Sequence, residues 1–156
     1  MLKINDNSPD FSGITAFGET ISNKDFLGKW LVVYFYPKDN TSGCTKEACS
    51  FRDGMEEITK LGAVVIGISP DSPSSHKKFI EKHNLNFHLI SDESKVICQK
   101  FFALGEKSMY GKKYIGVIRS TFIISPDGVI KYANYKVKPD NHAQEIIEEL
   151  KKSQND

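Results

Sequence analysis

The chain has 156 residues, and its 21 Lys and Arg against 20 Asp and Glu leave a formal net charge of +1. That length suffices for one domain with a full core, and the near-neutral balance, with no long basic run, gives no reason to expect nucleic acid or an anionic membrane as partner. With no apolar stretch as long as a membrane span, no signal-peptide core at the N-terminus, and three cysteines that cannot all pair within the chain, the sequence predicts a cytoplasmic protein whose cysteines are catalytic, redox-active or buried.

The first thirty residues read as an irregular lead-in. Turn chemistry stands at Ser8-Pro9-Asp10 and Phe17-Gly18-Glu19, with short strands between and beyond. Leu31 to Tyr36 is a continuous run of apolar β-formers, as expected of a strand buried on both faces. Cys44 to Leu61 predicts a helix, with Phe51, Met55, Ile58 and Leu61 at helical spacing and Gly62 to end it. Val64 to Ser69 is a second buried strand. Ser72-Pro73 then supplies an N-cap and a first helical position for a helix through His83. Phe87 to Ser91 is a third, shorter strand, followed by a helix from Lys95 to Phe102. Ser120–Ser125 and Val129–Tyr135 flank Pro126-Asp127-Gly128, a hairpin signal. Ala143 to Lys152 closes the chain as an amphipathic helix with Ile146, Ile147 and Leu150 inward. Strands alternating with helices predict an α/β layered domain with a partly parallel sheet and an antiparallel edge.

The segment between the first long strand and the first helix carries the chemistry. Cys44 is expected where a buried strand turns into a helix N-terminus. There the free backbone N–H groups and the helix dipole favour a negative charge, and only a thiolate is a good sulfur nucleophile. Its neighbours are Thr, Ser, Gly and Thr, which make a poor core. Cys49 follows five residues on, and the pair suggests redox chemistry with a built-in resolving thiol. Cys98, within Val96-Ile97-Cys98-Gln99-Lys100-Phe101, reads as structural. Cys44 and Cys49 lack a second close Cys or His pair, and His76, His83, His88 and His142 show no ligand motif, so no metal is expected.

The stretch Tyr34 to Asp53, YFYPKDNTSGCTKEACSFRD, places Pro37, Thr41 and Cys44 in a P-x-x-x-T-x-x-C pattern. It closely resembles the active-site segment of peroxiredoxins, specifically the peroxiredoxin Q or bacterioferritin comigratory protein group. A second segment, Met109 to Phe122, MYGKKYIGVIRSTF, carries the arginine expected of that family, Arg119. The resemblance implies a thioredoxin-like α/β fold, a central mixed sheet flanked by helices, as one domain over residues 1–156. It implies a thiol-dependent peroxidase acting on hydrogen peroxide and organic hydroperoxides, with no metal, haem or flavin. Cys44 would attack the peroxide and Cys49 would resolve the resulting sulfenic acid within the chain, so that a monomer suffices. Thioredoxin or a similar dithiol would restore both thiols. Thr41 would hydrogen-bond the incoming peroxide, Arg119 would favour the thiolate and orient the peroxide oxygens, and Pro37 would shield the thiolate sterically. Glu47 could help position the site, but as a first-turn acid it is equally explained by the helix dipole. Ser42 and Ser125 stand where many relatives have proline and an acid. Neither departure removes a catalytic atom.

The helix itself constrains the resolving step. Positions five apart on an ideal helix have Cα atoms about 8–9 Å apart, whereas a disulfide tolerates at most about 7 Å. The bond would require part of the helix to unwind. Two rival functions are a general thiol–disulfide oxidoreductase, whose usual Cys-x-x-Cys spacing is narrower, and a non-enzymatic thiol redox sensor.

Overall fold

Seven strands form one mixed sheet in the computed structural model, which describes residues 1–155. In chain order these are β1 (Ser12–Thr15), β2 (Thr20–Ser22), β3 (Trp30–Phe35), β4 (Ala63–Ser69), β5 (His88–Ser91), and then β8 (Ser120–Ile124) and β9 (Ile130–Asn134). Between β5 and β8 the strands β6 (Leu104–Met109) and β7 (Lys112–Val117) pair only with each other. The sheet order is β2-β1-β5-β4-β3-β8-β9. β3, β4 and β5 run parallel, and the strands outside them pair antiparallel. Four α-helices complete the fold among the described residues: α1 (Ser42–Lys60), α2 (Pro73–His83), α3 (Val96–Lys100) and α4 (His142–Gln154).

Alternation along β3 explains why the sheet is covered on both faces. Val32 and Tyr34 point into a core shared with α1, α2 and α4 through Phe51, Ile58, Phe79 and Ile146. Leu31, Val33 and Phe35 point the other way, into a core with Phe11, Ile97 and Phe101. A period of two with both sides apolar is the pattern of a central strand. Tyr34 stacks on Phe51 with ring centroids 4.7 Å apart and planes 22° from parallel, which locks the middle of α1 onto the sheet. Such a pair contributes about 0.5–1.5 kcal/mol beyond its buried area.

The predicted elements fall close to the observed ones. Ser72 caps α2 by accepting from the Ser75 N–H at 3.1 Å. Gly62 follows the end of α1 with φ +75°. α1 starts at Ser42 rather than Cys44, so the thiol belongs to its first turn. α3 is shorter than the predicted Lys95–Phe102 because both of those residues are left-handed, with φ of 62° and 58°. The β6–β7 hairpin was not anticipated. Its strands are polar and half exposed, and its turn is Tyr110-Gly111, with φ of +52° and +79°. Two consecutive left-handed residues suit a tight hairpin, and glycine takes the second at no steric cost. The tyrosine at the first position, where Asn or Asp is usual, hid the signal.

No helix among the described residues is long and apolar enough to cross a membrane. α1 begins just beyond the C-terminal end of β3. In open α/β sheets that end of the parallel strands is where ligands bind.

Candidate active site

Thr41 is the N-cap residue of α1, but its side chain does not cap the helix. Its hydroxyl donates instead to the Lys38 carbonyl at 3.0 Å. The oxygen keeps lone pairs for an incoming donor, and the first-turn N–H groups of α1 have no side-chain acceptor from the cap. Cys44 sits in that first turn and is 1 % exposed. Pro37 is half-buried at the start of the loop that leads to it.

Arg119 lies between β7 and β8, seventy-five positions from Cys44, and its Nη2 donates to Cys44 Sγ at 3.4 Å. Its Nη1 donates to Glu47 Oε1 at 2.7 Å. One planar guanidinium thus spans the thiol and a carboxylate with two of its fixed donors, a task for which lysine has no equivalent geometry. The backbone on either side is held: the Val137 N–H donates to the Arg119 carbonyl and the Ser120 hydroxyl to the Ile118 carbonyl. Lys107 on β6 is half-buried close to the same charges. Its ammonium is held below the ordinary range by burial and then by Arg119.

Glu47 was the weakest member of the predicted site, and the structure gives it a larger part. It is fully buried. Burial pushes its carboxyl up to about 7, against the opposing pull of Arg119. The helix-dipole explanation fails because α1 starts at Ser42, which puts Glu47 beyond the first turn, and because its carboxyl is out of solvent.

A second network fixes the loop that carries Pro37 and Thr41. Buried Asp39 accepts from the Tyr36 hydroxyl at 2.6 Å and the Ser75 hydroxyl at 2.8 Å, and its Oδ2 lies 2.7 Å from His76 Nδ1. Its backbone N–H donates to Asp71 Oδ2 at 2.8 Å. His76 Nε2 faces the Ile90 carbonyl at 3.1 Å. The loop is thereby tied to α2 and to the ends of β4 and β5. Asp39, Asp71 and His76 bring three possible ligand atoms within 4.8 Å of one another. Each of those atoms already has a hydrogen-bond partner, so the trio is accounted for as a clamp. Sequence reasoning passed over His76 because its partner is 37 residues away.

Cys49 is half-buried on α1 with Cys44, and both thiols are free. Cys98 is fully buried on α3 with its thiol pushed well up by burial and by Asp92, apart from this cluster. A cavity of about 620 Å³ lined by Met55, Thr59, Val65, Ile80 and Phe87 contains none of the residues around Cys44.

A buried thiol in the first turn of a helix, 3.4 Å from an arginine beside a mixed α/β sheet, is an arrangement suited to thiol-based redox chemistry. Comparison with known proteins identifies the family. The model of the AhpC/TSA family matches residues 4–133. Peroxiredoxin Bcp of Bacillus subtilis and that of Escherichia coli K12 are each 44 % identical over 150 residues, covering 96 % of this chain and 96 % of theirs. The solved structure of Xanthomonas campestris peroxiredoxin Q superposes with a TM-score of 0.89 at 39 % identity, covering 97 % of this chain and 96 % of that one. A bacterioferritin comigratory protein from the same organism, described for its alkyl peroxide reduction activity, gives 0.89 at 38 % identity over 97 % of each chain. The chain belongs to the AhpC/TSA family and, within it, to the peroxiredoxins of the Bcp and Q group. The thioredoxin-like fold implied by the sequence motifs is the fold observed.

Proposed function

We propose that the chain, acting as a single-domain monomer in the cytoplasm, reduces hydrogen peroxide and organic hydroperoxides with Cys44 as nucleophile. The observation that carries this reading is the 3.4 Å contact from Arg119 Nη2 to a buried Cys44 Sγ in the first turn of α1. The Cys44 thiolate attacks one peroxide oxygen, the O–O bond breaks, and the other oxygen leaves as hydroxide or alkoxide and takes up a proton. Arg119 and the free first-turn N–H groups stabilise the sulfur anion and then the charge growing on the leaving oxygen. Thr41 accepts the peroxide hydrogen, and Pro37 limits water at the sulfur.

The sulfenic acid formed at Cys44 then condenses with the Cys49 thiol, releasing water and forming a disulfide. Both cysteines lie on α1, so the helix between them opens for this step. A dithiol such as thioredoxin attacks the disulfide by thiol exchange and leaves both cysteines reduced.

The test is peroxide consumption coupled to thioredoxin, its reductase and NADPH. Cys44→Ser should abolish turnover. Cys49→Ser should consume one equivalent of peroxide, leave a trappable sulfenic acid and lose most thioredoxin-dependent turnover. Wild-type turnover in Cys49→Ser would overturn the resolving role. Stoichiometric consumption by the unmodified protein, with no turnover, would favour a redox sensor instead.

A further inference from the structure

Behind the Arg119–Glu47 pair lies a group of buried polar atoms that hydrogen bonding leaves incomplete. Glu47 Oε1 is engaged by Arg119, but Oε2 has no partner among the described residues. Its neighbour is His142 Nε2, 3.9 Å away, on the first residue of α4. That nitrogen in turn lies 2.8 Å from the Thr121 hydroxyl on β8. His142 Nδ1 and the Tyr34 hydroxyl also lack hydrogen-bond partners among the described residues. The His142 ring is fully buried and held edge-on by Phe51, with centroids 5.5 Å apart and planes 88° from parallel. A bare carboxylate oxygen in such a place is costly, and a proton on it removes most of the cost.

We propose that His142 is a positioning residue for Cys44: its buried ring lies beside the unpartnered Glu47 Oε2 and biases whether that carboxyl keeps its proton, and the presence of that proton decides how much of the Arg119 charge is left for the sulfur. When the pair holds the proton, Glu47 is neutral, still accepts from Nη1, and leaves the guanidinium as an unopposed cation beside Sγ. When the proton is lost, a buried anion competes with the thiolate for the same arginine. Thiolate formation and proton loss from the pair therefore oppose each other, and the two titrations are joined. The charges facing the pair are Cys44 from its own helix α1, Arg119 and Lys107 from the β6–β8 region, Tyr34 from β3 and Glu145 from α4, whose carboxylate lies 3.7 Å from His142 Nδ1. Burial holds Glu47 up to about 7 and His142 down to about 4, so near neutrality the proton is seated on the Glu47 side.

This inference rests on Cys44 being the reactive thiol, and its test does not use peroxide. Reduced full-length protein is alkylated with iodoacetamide from about pH 4 to 9, and the rate is read by mass on the Cys44 peptide. The wild-type profile should show a second inflection near pH 7 in addition to the main rise. Glu47→Gln should abolish that inflection. His142→Phe keeps the ring shape against Phe51 while removing both nitrogens, and should move the inflection upward by about one pH unit. A purely structural role would scale the whole curve instead. If His142→Phe does not fold, Thr121→Val, which releases Nε2 to accept from a protonated Oε2, should move the inflection in the same sense. In Arg119→Met the His142 substitution should no longer move the profile. Profiles superimposable on wild type in His142→Phe or Thr121→Val, or an inflection that survives Glu47→Gln, would overturn the proposal. Failure of the folded wild type to reduce peroxide would instead overturn the peroxidase reading and leave the alkylation result standing.

Discussion

Arg119 divides one guanidinium between two acidic groups, and neither contact is replaceable by a longer or rounder cation. Its two donors lie 3.4 Å from Cys44 Sγ and 2.7 Å from Glu47 Oε1. Arg119→Met keeps an unbranched apolar stem and loses both contacts. One well-placed charge-assisted contact is worth a few kcal/mol, so the first oxidation step should slow by roughly ten- to a thousand-fold. Stopped-flow reaction of the reduced variant with hydrogen peroxide measures this, and an unchanged rate would remove Arg119 from the reacting atoms. Cys98→Ala should behave in the opposite way. Its thiol is fully buried and its backbone N–H is held by Asp92 at 2.8 Å, so turnover should be kept while stability drops by about 1 kcal/mol. At this scale the sequence placed Cys44 at the start of a helix, as observed, but its polar neighbours did not foretell that the sulfur is almost fully buried. It was poorly legible for Glu47, because a helix starting at Cys44 would put it in the first turn, whereas α1 starts at Ser42 and carries it into the buried face. It was not legible for Asp39 and His76, whose pairing depends on how α2 docks.

α1 carries both cysteines, and the two ends of the helix are secured differently. The C-terminal half is pinned by Phe51 and Ile58 in the core, whereas the first turn has an N-cap whose side chain bonds elsewhere. Opening should therefore start at the N-terminal end, where the hydrogen-bond ladder is already incomplete. Amide hydrogen exchange across residues 41–52 should lose protection on oxidation, with less change in β3 and β4. Equal protection in both redox states, with a Cys44–Cys49 bond confirmed by mass, would rule out helix opening. The elements best read from sequence were those with strong periodicity or explicit caps. β3 has its continuous apolar run, α2 has Ser72-Pro73, and α4 has Ile146, Ile147 and Leu150 on one face. The β6–β7 hairpin has none of these signals. Its polar strands owe their pairing to a tight left-handed turn at Tyr110-Gly111.

Taken over the whole molecule, Glu47 and His142 couple the site to folding stability with opposite signs. His142 is depressed from 6.5 to about 4, so its contribution is present above pH 6.5 and lost as the pH falls through 4. Glu47 is raised from 4.5 to about 7, so its contribution is present below pH 4.5 and lost as the pH rises through 7. Between about 4.5 and 6.5 the two slopes oppose each other and partly cancel. Urea midpoints measured against pH should show a plateau in that window. Glu47→Gln should remove the decline above it and tilt the plateau so that stability falls with falling pH, whereas His142→Phe should remove the decline below it and tilt the plateau the other way. Each uncancelled decline spans only about half a pH unit and is therefore worth less than about 1 kcal/mol. A wild-type curve that both variants merely displace, without a change of shape, would show that neither group titrates on unfolding. The general architecture was readable because strand and helix periods alternate along the chain. The site was readable only in part, because it is assembled from α1, the β7–β8 connection and the start of α4, and no local pattern records that assembly.

The clamp at Asp39 sets a boundary on movement. Four hydrogen-bonding contacts converge on one residue five positions before Cys44, from Tyr36, Ser75, His76 and Asp71. In the proposed cycle the backbone released by oxidation therefore has a fixed pivot, and the sulfenic acid swings on a tether a few residues long. A short tether confines it to a small volume around Cys49, so that the resolving thiol is present at high effective concentration. Resolution then competes as a first-order event against a second peroxide, whose attack depends on how much peroxide is in solution. Loosening the pivot would lengthen the tether and shift that race toward overoxidation, even though no atom that touches the substrate had changed.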